Sequence, residues 1–522
     1  MFALAFFLGV YSYTIFALGI CNILFPPLVN ITTVVFVGGF IFLIRKRLQR
    51  FFRTFVLPRN LLFLALLFLV VVQVCINLIG ALGPELGFDA LWYHGTLPKI
   101  YLFHHQVFHI KETLFYYSDM PKLIEMVYMG ALSLGGDVLP KLVHFFLGIA
   151  SCFVLYFFSR KFFSKTLSIA TVVIFYANLV VGWESISGYI DLGRTFFEIL
   201  ALWAFVNWTE NKKTKMLGLS ACMTGLAITS KVLAFGTLGI FLALIFFFHF
   251  LKRYPTKKML RDLGIYTLIS IAIPLPWMVF SFIHTGSPFY PFFTPNYPTS
   301  LSLNLLNPFH FFSELWVLFT SSADPISPVY LAFLPLVVLY FKKTSFSLRL
   351  VSTYAFLSLF VWYITPRTGG GRFILPYLPA FSLLIVFPMQ YAKKLLRNVL
   401  IGFVIIVSII SIGYRATANA KFVPVLLGKE TTSEFLTTHL NFSFGDFYDT
   451  DNFFKTHMHS NDLVLVIGFH NLYYADFPFT LSSEDNHITY VAIQGNSVIP
   501  NTFQSWKLIH TNSLTHVRVY KK

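Results

Sequence analysis

The sequence predicts an all-α polytopic membrane protein with a small α/β domain at its C-terminus. Apolar residues make up 56% of the 522 residues and charged residues only 12%, whereas soluble domains carry about 25% charged residues. The chain contains repeated apolar runs that approach the ~20 residues needed to cross a bilayer as a helix. Only after residue 413 does polarity rise, and short strand-like runs then replace the long apolar ones.

Apolar runs bounded by turn or charge signals predict about thirteen transmembrane helices. One long run is divided at Lys231, so that the basic connectors on either side of it fall on the same face of the membrane. The last eleven spans form a predicted core at 60–413, and residues 1–59 hold two additional N-terminal spans and a basic connector. The predicted spans are 3–24, 28–44, 60–82, 141–158, 168–182, 192–208, 217–230, 232–251, 264–284, 329–341, 349–365, 373–391 and 398–413.

The net charge of +17 indicates membrane topology rather than a nucleic-acid partner. More than half of the 39 Lys and Arg residues lie in short connectors, where only two of the 22 acidic residues, Glu210 and Asp262, are found. Cytoplasmic loops are enriched in Lys and Arg, so we expect these connectors and the N-terminus to be cytoplasmic in a multi-pass protein of the cell (inner) membrane. The predicted extracytoplasmic segments are then 83–140, 183–191, 285–328 and 414–522.

Two of these outer segments differ in character. Prolines recur through residues 285–310; they forbid a long helix and predict an ordered or lid-like loop. The C-terminal segment, 414–522, contains three strand-like runs and is predicted to be an extracytoplasmic α/β domain. These runs are 463–468, 488–493 and 515–520.

The segment 83–125 is the longest polar interruption in the first four hundred residues. Asp89 follows an apolar run and therefore lies at the membrane edge, where a carboxylate is costly unless it is paired or used. The aromatic residues from Trp92 to Phe103, including Tyr93 and Tyr101, favour an amphipathic helix lying on the membrane. Such a helix explains the aromatic residues but not the carboxylate, so Asp89 is the first candidate for catalysis.

The other polar residues of this segment are weaker candidates. His94, Lys99 and Tyr93 are predicted as possible substrate contacts. Glu85 is a further candidate, with surface charge as its alternative interpretation. Glu125 either contacts substrate or only braces the following helix. His104, His105 and His109 are expected to be interfacial, because no acid motif with metal-ligand spacing accompanies them; whether a divalent metal is needed stays open.

The next short outer loop supplies a second acidic pair, Glu184 and Asp191. Arg194 follows Asp191 by three residues, so an ion pair between them at the start of a helix is one interpretation. The alternative is that this loop and the loop of Asp89 place carboxylates at the same membrane depth. That arrangement suits a general base with an acid or metal-orienting partner.

Two basic residues are candidate anion contacts. Lys231 separates two apolar runs, where it either snorkels to the membrane edge or contacts a phosphate. Arg372 follows three glycines, which allow close approach of the backbone to a ligand, and a guanidinium binds phosphate bidentately. A flexible turn ending in an arginine is the competing interpretation.

Five runs occur in an order that resembles the polytopic C-type glycosyltransferases. This superfamily includes the dolichyl-phosphate-mannose–protein mannosyltransferases, the aminoarabinose transferases of lipid A and their bacterial relatives. The resemblance covers roughly residues 60 to 400, although the polar loop here follows the third span rather than the first. The runs are PELGFDALWYHGTLPKIYL, YYSDMPKLIEMVYMGALSLGGDVLPKLVHFF, SGYIDLGRTFFE, LPWMVFSFIHTGSPFYPFF and GGGRFILPYLP.

The resemblance implies a function and residue roles. It implies transfer of a sugar, with inversion, from a polyprenyl-phosphate donor to a lipid, glycan or protein acceptor on the non-cytoplasmic face. Asp89 would deprotonate the acceptor, and Asp191, with Glu184 as a competitor, would be the second acid. Lys231 and Arg372 would hold the leaving phosphate.

Two other functions remain possible from the sequence. A lipid or polysaccharide transporter or flippase would need charges buried in mid-span and discontinuous helices at the bilayer centre, whereas these acids lie at the outer edge. A non-catalytic membrane assembly protein would use residues 415–522 to bind a partner.

Overall fold

Helices account for most of the chain, and a five-stranded sheet lies near its C-terminus. The computed structural model describes residues 1–54, 58–294, 307–322, 325–365, 370–459 and 461–522; parts of the predicted loop 285–328 and of the glycine run before Arg372 lie outside these ranges. The helices are α1 Phe2–Ile20, α2 Pro26–Thr54, α3 Leu61–Leu82, α4 Thr96–Phe103, α5 Leu123–Gly135, α6 Val138–Ser159, α7 Lys165–Tyr176, α8 Leu179–Glu184, α9 Asp191–Asn211, α10 Thr214–Ser230, α11 Phe235–Leu251, α12 Thr256–Ala272, α13 Leu275–Thr285, α14 Pro308–Thr320, α15 Val329–Tyr340, α16 Phe346–Ile364, α17 Leu378–Tyr391, α18 Lys394–Asn419, α19 Val423–Leu426, α20 Thr432–His439 and α21 Phe453–His457.

The all-α polytopic class is confirmed. Among the described residues, seven helices are long and apolar enough to cross a membrane, and eight are if the bent pair α12–α13 counts as one span. The other predicted spans correspond to helices outside this set: the 21-residue α9 and the shorter helices α7, α10, α15 and α17. The count of thirteen spans therefore stays a prediction.

Predicted spans break where the backbone loses its helical hydrogen bonds. The span predicted at 264–284 is two helices bent by 59°, because Pro274 at the junction has no N–H to donate. The division at Lys231 is confirmed: α10 ends at Ser230, and Lys231 is extended, with φ −154° and ψ 119°. In the third predicted outer loop, Pro308 opens α14 at a position where its missing N–H costs nothing.

The basic connectors lie together at one end of the bundle. Lys161 pairs with Glu210, Ser347 donates to the same carboxylate at 2.6 Å, and Lys252 lies 4.8 Å from the ring of Phe346. Glu210 is near the end of α9, a 21-residue helix that is about 30 Å long. Because α9 begins at Asp191, this acid and the connectors are separated by about the thickness of the hydrocarbon core.

The predicted C-terminal α/β unit contains a mixed five-stranded sheet. Strand β1 pairs in parallel with β2 and β3, whereas β5 pairs antiparallel with β3 and β4, in the order β2-β1-β3-β5-β4. The three predicted strands match β1, β3 and β5, while β2 and β4 had no sequence signal because they are short or exposed. The strands are β1 Val464–Ile467, β2 Phe479–Thr480, β3 Tyr490–Gln494, β4 Lys507–Thr511 and β5 Val517–Lys521.

Two buried charges fix the polar segment that follows α3. Glu85 accepts hydrogen bonds from the backbone N–H groups of Leu86, Gly87 and Gly188 at 2.9, 2.6 and 2.6 Å, and it is only 3% exposed. Of the two interpretations of Glu85, surface charge is therefore wrong. Lys141 of α6 donates to three carbonyls at the end of α3, those of Gly80, Gly83 and Pro84.

The C-terminal unit packs on the same segment. The Tyr474 hydroxyl accepts from the Glu85 N–H at 2.9 Å and donates to the Glu85 carbonyl at 3.0 Å. Lys99 donates to the Tyr473 carbonyl at 2.8 Å and pairs with Asp137 at 3.0 Å. The first polar loop is thus held between the helix bundle and the sheet.

We predict that Glu85→Gln destabilises the fold. The glutamine amide would place its NH₂ group against the backbone N–H groups that now donate to the carboxylate. A buried donor left without an acceptor costs about 1–3 kcal/mol. The thermal unfolding midpoint of the detergent-solubilised protein should fall, whereas Glu484→Gln, at an exposed carboxylate, should leave it unchanged. Equal midpoints for the two variants would contradict this role.

Candidate active site

The first polar loop begins with a π-helical turn. The turn spans Ala90–His94, follows Asp89, and is closed by a bond of 2.9 Å from the Gly95 N–H to the Ala90 carbonyl. Gly95 is required because a Cβ there would lie 2.6 Å from the Tyr473 ring. The wider turn brings the Tyr93 hydroxyl to within 3.2 Å of the Asp89 carboxylate. Such turns are rare and often occur at functional sites.

The expectation of an amphipathic helix lying on the membrane is wrong for most of the aromatic residues. Tyr101 is fully buried and donates to the Ser118 carbonyl at 3.0 Å. Trp92 donates to the Leu114 carbonyl at 2.9 Å. Of the four predicted anchors, Phe103 is the exposed one, at 58%. The aromatic residues therefore build the interior of the loop.

A cavity of about 570 Å³ opens between this loop and the ends of the helices. Its lining combines aromatic and charged side chains. Asp89, Tyr93, His94, Glu125, Lys231 and Arg372, all predicted from the sequence, line it together with Lys122. The remaining lining residues are Phe88, Trp92, Tyr117, Met120, Pro121, Ile190, Ser230, Val232, Leu233, Phe292 and Phe373.

Five predicted site residues form a continuous ion cluster. Arg372 Nη2 lies 2.5 Å from Asp89 Oδ2, and its Nε lies 3.2 Å from Asp191 Oδ2. Lys231 Nζ lies 2.6 Å from Asp191 Oδ1. Arg372 also lies 3.8 Å from Glu184. Residues from four separate segments of the chain therefore share one set of charges.

Asp191 and Glu184 lie behind the two cations. Their side chains are 1% and 0% exposed, and neither lines the cavity. Asp191 does not pair with Arg194, since Arg194 pairs with Glu198 at 2.6 Å, one turn further along α9. The interpretation of an ion pair three residues apart is wrong: Asp191 pairs with Lys231 and Arg372 instead, and Glu184 lies near Arg372.

Local backbone features place these side chains. His144 of α6 accepts from the Leu192 N–H at 2.9 Å and lies 2.9 Å from the Glu184 carbonyl, which fixes the turn before α9. Gly370, with φ +80°, turns the chain so that Arg372 points back at Asp89. A side chain at that position would be strained, because positive φ favours glycine.

The charges around Asp89 determine its ionisation. Burial opposes its charge, but Arg372, followed by His94 and Lys231, outweighs burial and holds the pKa of Asp89 below its usual value. Asp89 is therefore an ionised carboxylate, and Arg372 occupies one of its oxygens. A carboxylate in this state is a weak proton acceptor until the arginine moves.

Lys122 is a cation of the cavity that the sequence reasoning missed. Its ammonium donates to the carbonyls of Tyr117 and Met120, the latter at 3.1 Å. Burial lowers its pKa to about 8, although Glu125 and Asp119 favour the charged form. The sequence did contain a signal for Lys122, because it directly follows Pro121 within a polar loop. The apolar residues after it instead suggested only the start of a helix.

His94 and Glu125 form a buried pair in the cavity wall. His94 Nδ1 lies 2.8 Å from Glu125 Oε1, and the two side chains are 1% and 4% exposed. Lys99, by contrast, is turned away: it lines a second cavity, of about 580 Å³, between α4 and the edge of the sheet. Among the described residues, no three His, Cys, Asp or Glu side chains are grouped to hold a metal ion.

Comparisons with known proteins agree with this architecture. Residues 136–280 match the family model of the dolichyl-phosphate-mannose-protein mannosyltransferases. ArnT from Cupriavidus metallidurans in the apo state aligns with a TM-score of 0.60 at 12% identity, over 87% of this chain and 97% of that one. The chain has the fold of the polytopic C-type glycosyltransferases. The predicted resemblance is thereby confirmed for the fold.

Two further structures are similar. ArnT from Cupriavidus metallidurans bound to undecaprenyl phosphate has a TM-score of 0.56 at 14% identity, again over 87% of this chain and 97% of that one. The Archaeoglobus fulgidus oligosaccharyltransferase in complex with Zn and sulfate has a TM-score of 0.49 at 12% identity, over 82% and 68%. No curated protein sequence matches the chain.

The ion cluster predicts strong coupling between Asp89 and Arg372. Arg372→Gln leaves buried carboxylates without their cation, and breaking a buried pair costs about 3–5 kcal/mol. Adding Asp89→Asn removes one of those carboxylates, so the double variant should be less destabilised than the sum of the single changes. Thermal unfolding of the four proteins of this cycle measures the coupling.

The matched control is the more exposed pair Lys161–Glu210, whose side chains are 25% and 42% exposed. The cycle of Lys161→Met and Glu210→Gln should give a coupling of about 1 kcal/mol or less. Additive effects of Asp89→Asn and Arg372→Gln would show that the two residues are not paired in the protein.

Proposed function

We propose that this protein transfers a sugar from a polyprenyl-phosphate donor to an acceptor, with inversion, at the extracytoplasmic face of the inner membrane. The observation that carries the proposal is the cavity at the ends of the helices, which is lined by Asp89 and by the cations Arg372, Lys231 and Lys122. A lipid-linked phosphate could enter such a cavity from the bilayer. The fold shared with ArnT, one structure of which binds undecaprenyl phosphate, supports this donor class.

The three cations suit the phosphate that leaves during the transfer. Arg372 offers a planar guanidinium and Lys231 and Lys122 offer ammonium groups, donors that bind phosphate oxygens well. Asp191 holds Arg372 and Lys231 from behind, so both are oriented before the substrate arrives. Donors fixed in advance stabilise the charge that develops on the leaving group.

Asp89 is the proposed base for the acceptor. In the resting structure Arg372 occupies its Oδ2 atom at 2.5 Å. A bound phosphate competes with Asp89 for the guanidinium of Arg372. When Arg372 moves towards the phosphate, the Asp89 carboxylate becomes free to accept a proton. Donor binding thus prepares both the leaving group and the base. The acceptor X–H bond then breaks, X bonds to the anomeric carbon, and the C–O bond to phosphate breaks with its electron pair on oxygen.

The orientation follows from the two ends of the bundle. The basic connectors gather at one end, and the charge cluster lies at the other, about 30 Å away along α9. If the connectors are cytoplasmic, as their Lys and Arg content predicts, the cavity and the C-terminal sheet are extracytoplasmic. Membrane-impermeant labelling of single cysteines at Ser497 and Ser345 tests this orientation.

A panel of synthetic polyprenyl-phosphate sugars tests the activity. The purified protein in lipid nanodiscs is mixed with each donor and with membrane lipid, glycan or peptide acceptors, and covalent product is measured by mass spectrometry. A transferase forms product with at least one donor. A transporter instead moves the donor across vesicle membranes unchanged, and an assembly protein does neither.

We predict that Asp89→Asn lowers the transfer rate by about 10²–10⁴-fold, the usual contribution of a general base. The amide keeps the shape of the side chain but cannot accept the proton. Glu112→Gln, in the same loop but outside the cavity, is the control and should transfer at the wild-type rate. Retained activity in Asp89→Asn, at equal expression, would remove Asp89 as the base.

Lys122 gives the cavity a pH dependence. Its folded pKa is about 8, so its positive charge is present below that value and is lost as pH rises through it. Binding of undecaprenyl phosphate should therefore weaken as pH is raised from about 7 to about 9. Lys122→Met should bind weakly at both values, whereas the exposed Lys111→Met should follow the wild type. A flat wild-type profile would contradict this contact.

A further inference from the structure

The His94–Glu125 pair lies in the catalytic cavity and has no role in the reaction described so far. Glu125 accepts through Oε1 from His94 Nδ1 at 2.8 Å, so a neutral imidazole carries its proton on Nδ1 and keeps a lone pair on Nε2. Among the described residues, neither His94 Nε2 nor Glu125 Oε2 has a hydrogen-bond partner. Both residues line the cavity.

The π-helical turn places His94 beside the proposed base. Asp89 precedes the turn and His94 ends it. Tyr93 contacts both residues: its hydroxyl donates to Asp89 at 3.2 Å, and its ring centroid lies 4.2 Å from that of His94. Asp89 and His94 are thus linked through Tyr93, and both side chains line the same cavity.

Asp89 is a poor final site for the proton. The surrounding cations hold its pKa below the usual value, and Arg372 can return to Asp89 only when the carboxylate is ionised. Imidazole takes up and releases protons near neutral pH, and a carboxylate behind it stabilises the imidazolium. His94 Nε2, which has no hydrogen-bond partner among the described residues, is the nearby site to which Asp89 can pass the proton.

We infer that His94, oriented by Glu125, receives the acceptor's proton from Asp89 and holds it in the product complex. This inference rests on the proposed function. In the complete step the acceptor loses H⁺ to Asp89, and the polyprenyl phosphate leaves with the electron pair of the glycosidic bond. Water in the cavity that both side chains line then takes H⁺ from Asp89 and gives H⁺ to His94 Nε2. Release of the phosphate and loss of this proton restore the resting state. His94 is a catalytic residue in this scheme, and Glu125 is a positioning residue.

The charge of the cavity favours a proton on His94 in that complex. The charged groups facing it are Asp89, Glu125, Lys122, Lys231 and Arg372, with Asp191 and Glu184 behind them. Four carboxylates thus stand against three cations before any ligand is present. A phosphate adds further negative charge, which an imidazolium partly offsets.

Proton uptake on product binding tests the inference without knowledge of the sugar. Undecaprenyl phosphate is titrated into the detergent-solubilised protein near neutral pH, in buffers of different ionisation enthalpy. The heats give the number of protons taken up. The wild type should take up about one proton more than His94→Gln, while both bind the lipid. Any proton that the phosphate itself gains is common to both proteins and cancels in the difference.

A second buried histidine pair supplies the control. His249 Nε2 lies 3.1 Å from Asp262, with side chains 1% and 2% exposed, at the connector end of the bundle. His249→Gln should take up protons as the wild type does. Glu125→Gln should bind undecaprenyl phosphate but lose most of the extra uptake, because a neutral amide cannot stabilise the imidazolium.

The outcomes separate this inference from the proposed function. Equal proton uptake by wild type, His94→Gln and Glu125→Gln, all with intact binding, would overturn the relay and leave the phosphate site standing. No binding of undecaprenyl phosphate to the wild type would overturn the proposed function, and the relay with it. If His94→Gln fails to bind because it unfolds, the Glu125→Gln uptake decides the question.

Discussion

The site depends on one guanidinium shared between two carboxylates. Arg372 lies 2.5 Å from Asp89 and 3.2 Å from Asp191, so a single side chain joins the loop after α3, the start of α9 and the turn before α17. None of these segments is close to another in sequence. Loops at a membrane edge have few apolar contacts to fix them, and a buried ion pair fixes distance and direction together. Moving any one segment would leave a buried charge without its partner, so the segments are held as a unit.

Hydropathy predicted the bundle well, because burial in lipid demands long apolar helices whose backbone bonds are internal. It also located Asp89, Lys231 and Arg372, since polar residues at the ends of apolar runs are unusual enough to stand out. Spacing along the chain failed for Asp191, where the nearest cation in sequence, Arg194, pairs with Glu198 instead. The true partners, Lys231 and Arg372, are 40 and 181 residues away, and no local pattern encodes such a pairing. Glu85 was missed for the same reason, as one of its three donors comes from Gly188.

The acids and cations of the site are layered. Asp191 and Glu184 are fully buried, Lys231 and Arg372 lie in front of them, and the cations reach the cavity. The buried acids give the cations a fixed orientation. The site is therefore preorganised by folding and needs little reorganisation during the reaction. Tyr93, Trp92 and Tyr117, together with His94 and Glu125, also line the cavity. The cavity therefore combines cations that suit an anion with aromatic faces and proton acceptors.

Irregular backbone is what makes this layering possible. Asp89 and His94 flank a π-helical turn, Lys231 is a single extended residue between two helices, and Arg372 follows a glycine with positive φ. At membrane depth, non-helical backbone survives only where protein or a water-filled cavity satisfies its polar groups. Each of these breaks borders the same cavity, so the interruptions that weaken a span also supply the reacting side chains. A continuous helix at Lys231 would carry its ammonium past Asp191, and the cavity would lose one of the three cations that line it.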